Sequence, residues 1–126
     1  MLIPDDLRYT TEHEWVRLDG DIATVGITDY AQEQLGDIVF VELPAAGTPV
    51  ESMRIFGAVE AVKTVADLFS PVTGAVIAVN EQLEAHPEYV NTDPYETGWM
   101  IKIRVTTASE FDGLLTAQAY QKLIGA

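Results

Sequence analysis

The chain has 126 residues, 48% of them apolar, and its 7 Lys and Arg against 20 Asp and Glu give a formal net charge of −13 at pH 7. That size predicts a single compact domain over residues 1–126, roughly 14 Å in radius of gyration, burying about two-thirds of its unfolded surface. The acidic balance excludes the clustered cations that neutralise nucleic-acid phosphates, and it opposes anionic membrane surfaces. The lack of cysteine excludes disulfides, thiolate metal sites, iron–sulfur clusters and a cysteine nucleophile. The first 15 residues carry neither a basic n-region nor an apolar h-region, and no stretch approaches the roughly 20 apolar residues of a membrane span. The expectation is a soluble chain, unprocessed or already mature.

Residues 14–18 and 22–27 alternate apolar and polar side chains around Asp19-Gly20-Asp21, where Gly20 supplies the positive φ of a tight hairpin. Thr28 is placed to cap a short helix through Tyr30, Ala31 and Leu35 that Gly36 ends. Residues 38–43 form a β-branched and aromatic strand stopped by Pro44, and residues 45–49 a loop. The dense apolar section 55–79 is cut into short runs by Gly57, Pro71 and Gly74, which predicts several strands and no long helix. Asn80 caps a helical turn over residues 81–85, residues 91–98 are turn chemistry throughout, and a strand follows over residues 99–105. A C-terminal helix starts from a Thr107/Glu110 capping box and packs its Phe111, Leu114 and Leu115 face on the sheet. These elements predict a mostly β domain, a flattened barrel or sandwich with short peripheral helices.

The segment Glu60-Ala61-Val62-Lys63-Thr64-Val65-Ala66-Asp67 is nearly palindromic. A two-residue turn at Lys63-Thr64 would pair Val62 with Val65, Ala61 with Ala66 and Glu60 with Asp67. Lys63 then stands at the hairpin tip. Such turns favour Asn-Gly or Asp-Gly, so Lys-Thr is unusual there. The chain has three lysines, and Lys63 is the one basic residue between Arg54 and Lys102. A lone amine on a flexible stem at a rigid turn suits an enzyme that must acylate one lysine and spare the rest. The plain alternative is a solubilising lysine near Glu60 and Asp67.

Glu12-His13-Glu14 has the residue types of a metal or acid–base cluster. Strand alternation would put the two glutamates on one face and His13 on the other, and His86 is remote, so His13 is expected to pack or hydrogen-bond near Trp15 and no metal is expected. No spacing singles out a carboxylate pair for hydrolysis, and Gly57 and Gly74 are too isolated for a phosphate loop. Asp93-Pro94-Tyr95 and Gly98-Trp99 suit either a partner contact or turn and core packing.

Gly57-Ala58-Val59-Glu60-Ala61-Val62-Lys63, with Ser70-Pro71-Val72-Thr73-Gly74 and Val79-Asn80, resembles the attachment segment of lipoyl carrier domains. In that family a Glu three residues before the lysine and a Gly eleven after it help define the site; Glu60 and Gly74 fall there. Biotinyl carriers flank the lysine with methionine, where this chain has Val62 and Thr64. Tyr9-Thr10, His13 to Val16, Val25 to Thr28, Tyr30 to Gln32, Leu35 to Val39, Leu43-Pro44, Asn91, Asp93 to Tyr95 and Gly98-Trp99 extend the resemblance to the H-protein family of the glycine cleavage system, from about Leu7 to the C-terminal helix. Ala61 stands where the family commonly has Ser, and Glu96 where it often has Gly.

The resemblance implies the barrel-sandwich hybrid fold of lipoyl and biotinyl carriers, with no active site of its own. Lipoate would be amide-linked to Lys63, taking the charge from −13 to −14. Lipoate-attaching enzymes would recognise Glu60 and Gly74, while Glu14 and Asp67 match positions near a groove for the aminomethyl arm, where a carboxylate holds a protonated amine. A solvated strand carboxylate is the alternative for both. The implied partners are the pyridoxal-phosphate glycine decarboxylase (P protein), the tetrahydrofolate-dependent aminomethyltransferase (T protein) and the flavin- and NAD-dependent dihydrolipoamide dehydrogenase (L protein), with neither nucleic acid nor membrane. The implied location is a bacterial cytoplasm, or the mitochondrial matrix for a mature eukaryotic chain. A flexible arm on a stiff hairpin keeps the cargo at high effective concentration, and the redox sulfur belongs to the cofactor. The acidic surface suits docking to basic patches on partners, which salt would weaken. The other readings are a lipoyl carrier or donor in another pathway, such as lipoate relay, and an acidic binding module with unmodified Lys63.

Overall fold

The computed structural model describes residues 1–126. Two antiparallel sheets form the body. The larger holds β1 (Arg8–Tyr9), β2 (Glu14–Asp19), β3 (Ile22–Ile27), β9 (Ile101–Val105), β8 (Gly74–Val79) and β5 (Pro49–Val50), in that spatial order. The smaller holds β4 (Ile38–Glu42), β6 (Ile55–Ala61) and β7 (Val65–Phe69). They do not close into a barrel, so the mostly β expectation resolves to its sandwich form.

Alternation places the core between the sheets. Ile27 of β3 meets Ile38 and Val41 of β4, Val59 and Ala61 of β6 and Leu68 of β7 in one buried cluster. A second cluster joins Val16, Val25, Val76, Ile101 and Ile103 within the larger sheet. Burying such branched side chains is worth about 1.5–3 kcal/mol each. A third, aromatic cluster sits at the N-terminal edge: Tyr9 stacks on Tyr120 at 4.7 Å, and the buried Trp15 Nε1–H donates to Pro94 O at 3.0 Å.

The short helices follow their caps. Thr28 Oγ1 accepts from Ala31 N at 3.1 Å to start α1 (Asp29–Leu35), and Gly36 at φ +78° ends it, as the sequence predicts. Asn80 Oδ1 accepts from Gln82 N at 3.2 Å ahead of α2 (Gln82–Ala85). Residues 91–92 depart from the expected turn and close α3 (Tyr89–Thr92), because Val90 is drawn into the core between the sheets. The strand expected from Trp99 begins at Ile101.

The C-terminal helix is two helices, α4 (Ser109–Asp112) and α5 (Ala117–Ile124). The Thr107/Glu110 capping box does not form, since the Glu110 carboxylate accepts from Thr73 N at 2.7 Å and Thr73 Oγ1 at 2.8 Å. Leu115 leaves the helical path to exchange backbone hydrogen bonds with Tyr9 of β1, and Thr116 caps α5 afresh. Phe111 and Leu114 therefore pack on the larger sheet while Leu115 joins the aromatic cluster, so they share no helix face. No helix of the structure is long and apolar enough to cross a membrane.

Candidate functional site

The β6–β7 hairpin presents Lys63 at its tip, exposed to solvent. Its register differs from the palindromic one. Asp67 pairs with Ala58, Ala66 with Val59 and Val65 with Glu60, while Ala61 N donates to Thr64 O at 2.8 Å. The apex is thus Val62-Lys63, one residue before the expected Lys63-Thr64. The two registers differ by two residues and leave the same side chains facing inward, so alternation cannot separate them. Val62 N–H decides: it donates to Asp37 O at 3.1 Å, leaving the β6–β7 ladder for the chain entering β4.

That acceptor is itself held. Asn91 of α3 brackets it, its Oδ1 accepting from Ile38 N at 2.9 Å and its Nδ2 donating to Gly36 O at 2.9 Å. A Cβ placed on Gly36 would lie 3.8 Å from Lys63 Cε, so the lysine stem leans over the end of α1. Around the tip, Val62 (77% exposed), Val65, Val39 and Phe40 leave apolar surface in water.

Next to the tip lies a groove of about 450 Å³ between α1, the turn entering β2 and β7. Ile27, Ala31, Leu35, Val59 and Leu68 give it apolar walls, with Tyr30 and Gln34 from α1. Its acidic groups are Glu12, Glu14 and Asp67, and no lysine or arginine lines it. Asp67 is four residues past Lys63, about 13 Å along a strand. It is exposed at the rim.

Glu14 is the reverse of a solvated strand carboxylate, being 1% exposed. Thr10 Oγ1 donates to its Oε1, and Phe69 N donates to its Oε2 at 3.2 Å. Burial nevertheless dominates and pushes its carboxyl up to about 8, against the Thr10 and Phe69 hydrogen bonds that favour the anion; Glu12 adds like-charge repulsion. His13 precedes β2 in the left-handed region at φ +72°, where non-glycine residues pay a backbone strain. Glu12 and His13 therefore do not continue the strand, and the expected alternation fails there. The His13 ring packs on Tyr30 and Tyr120 in place of Trp15, with Nδ1 2.9 Å from Tyr120 Oη, and burial lowers its pKa. No group of acidic, histidine or cysteine side chains is placed to hold a metal ion.

The remaining expected residues separate. Glu60 is exposed on β6 between Phe40 and Val65. Gly74 is buried in β8, where an added Cβ would come within 2.1 Å of Arg104 O and 2.8 Å of Ile103 Cγ2, so packing alone requires glycine. Thr10, Tyr30, Gln34 and the Phe69 N–H are groove or carboxylate contacts that the sequence does not assign to the site. Thr10 alone left a local signal there, a hydroxyl four residues before Glu14.

A β-sandwich that sets one free amine on a hairpin tip beside a groove is the arrangement of a carrier subunit, not of a catalyst. The chain belongs to the glycine cleavage H-protein family, whose sequence model matches residues 7–126. It is 51% identical over 125 residues to the glycine cleavage system H protein of Staphylococcus carnosus, covering 99% of each chain. It is 53% identical to that of Bacteroides fragilis over 100% of both, and 55% identical to that of Geobacillus kaustophilus over 98% of both. The crystal structure of a glycine cleavage system H protein from Mycobacterium marinum superposes with a TM-score of 0.91 at 40% identity, covering 98% of this chain and 100% of that one.

Proposed function

We propose that the chain is one carrier domain that bears lipoate on the Lys63 amine and serves the glycine cleavage system of a bacterial cytoplasm. It receives the aminomethyl group of glycine from the glycine decarboxylase and presents it to the tetrahydrofolate-dependent aminomethyltransferase; dihydrolipoamide dehydrogenase then resets the arm. Family membership supports the system, and one observation carries the site: the exposed Lys63 amine at a hairpin tip tethered by the Val62–Asp37 hydrogen bond, its stem over the end of α1, the helix that walls the groove.

Bound lipoate supplies the sulfur chemistry; the chain supplies placement. Val62 and Asn91 hold the tip rigid, so the arm's reach is set by its own length. The exposed Glu60 lies within a modifying enzyme's footprint, while Gly74 acts only by allowing the close approach of β9 to β8. The apolar walls exclude water from a docked arm, and Glu14 and Asp67 offer carboxylates to its cationic amine. The acidic surface suits basic patches on the partner enzymes.

Intact mass followed by peptide mapping tests this on protein made in its own host with lipoate available. The expected result is one lipoyl adduct, on Lys63. Its absence would sink the carrier reading and leave an acidic binding module.

A further inference from the structure

The hydroxyl of Thr10 has a single orientation open to it. A threonine hydroxyl owns one donor and two lone pairs. Both lone pairs are used, one by Glu12 N–H at 3.2 Å and the other by Glu14 N–H at 3.1 Å. The proton therefore points at Glu14 Oε1, the remaining partner of that oxygen. Phe69 N–H, a donor without a lone pair, faces Oε2. Both Glu14 oxygens thus meet groups that only donate, and a carboxylic acid proton on either one finds no acceptor among them.

We infer that Thr10 is the positioning residue that fixes Glu14 as a hydrogen-bond acceptor on the groove, making the groove selective for a primary ammonium over a neutral end group. The inference rests on the carrier reading for the identity of the arm. Burial within walls that hold no cation opposes the anion, so a ligand ammonium is the missing counter-ion. The titratable groups facing Glu14 fit that role: Glu12 and His13 lie in the same turn, Tyr30 on α1, Asp67 on β7 and Tyr120 on α5. None is a cation near neutrality, since burial lowers the His13 pKa. Thr10 is itself 2% exposed and meets the arm only through Glu14.

The test uses the full chain without lipoate, labelled with carbon-13, and follows the Glu14 carboxyl resonance from pH 5 to 10. A hydrogen bond to a carboxylate is worth enough to move its midpoint by about one pH unit. Thr10→Ala is expected to raise the midpoint by that amount, and Thr10→Ser to keep it within a few tenths of wild type. Equal midpoints in Thr10→Ala and wild type, with both spectra folded, overturn the inference. On the lipoylated, aminomethyl-loaded protein, Thr10→Ala is expected to release ammonia several-fold faster at pH 7.5, and equal rates overturn the selectivity. A missing adduct on Lys63 would instead defeat the carrier reading and leave the titration result standing.

Discussion

The two hairpins that meet at the groove have tips of equal length, one built on a left-handed glycine and the other without one. The β2–β3 tip, Gly20-Asp21, turns through its own glycine at φ +62°, and β9 also holds it: Asp21 O accepts from Val105 N at 2.8 Å and Asp21 Oδ2 from Arg104 Nη1 at 3.0 Å. The β6–β7 tip, Val62-Lys63, has no glycine and no residue in the left-handed region. It is pinned from outside, by Asp37 O and by the Asn91 amide that brackets Asp37. A turn that passes through the left-handed region dictates its residue there, whereas one that does not is free to carry lysine. The carboxylates differ in the same sense: Glu14 at the open end of the first hairpin is buried and doubly bonded, while Asp67 on the second stands in solvent.

Moving the amine tests the contrast most severely. Lys63→Arg is expected to abolish lipoylation, and Asp21→Lys in that background to restore none, read by intact mass. An adduct on residue 21 would show that any hairpin lysine suffices. Next in size is the Glu14 titration. In the folded chain its carboxyl titrates at about 8, against an ordinary value of 4.5. Between those values the folded protein keeps a proton that the unfolded chain has released, so stability falls as pH rises, by roughly 1.4 kcal/mol per unit. Glu14→Gln is expected to remove that slope in denaturant titrations from pH 5 to 8, whereas Asp67→Asn stays within about 0.5 kcal/mol of wild type at pH 7. Parallel curves for Glu14→Gln and wild type would mean that Glu14 is ionised in the fold. Asn91→Ala should then loosen one tip and spare the other. Losing about 1–2 kcal/mol of local stability speeds amide exchange roughly 5- to 30-fold, expected at Val62 and not at Ile22.

These contrasts also separate what the sequence could announce from what it could not. Gly20, Thr28 and Gly36 act through their own backbone or nearest neighbours, and each was legible. The lysine tip was legible as a tip, but its register depended on a hydrogen bond to Asp37, 25 positions upstream, and local palindromy pointed one residue too far. Glu14 was named as a groove carboxylate without its burial, because the walls around it come from α1 and β7. His13 misled for a related reason: strand alternation assumes an extended backbone, and the left-handed turn at Thr10–Glu14 interrupts it. The C-terminal helix broke where Leu115 found β1, a pairing 106 residues away that no helical periodicity contains.

The smallest expected effect distinguishes the two tips by their own residues. Gly20→Ala puts a side chain into the left-handed region, where space is open but the backbone is not, at a cost of about 1 kcal/mol. For a chain of this length that is a melting-temperature loss of about 4 °C. Val62→Ala trims a side chain that is 77% exposed and keeps the N–H that reaches Asp37, so its expected change is under about 0.5 kcal/mol. Thermal melts of the two variants under one condition compare them directly. If Val62→Ala proved the more damaging, the β6–β7 tip would owe its rigidity to the exposed valine, and the tether through Asp37 would be secondary. If Gly20→Ala does, as expected, the lysine-bearing tip tolerates side-chain change because none of its residues sits in the left-handed region and its tether is a backbone hydrogen bond to Asp37.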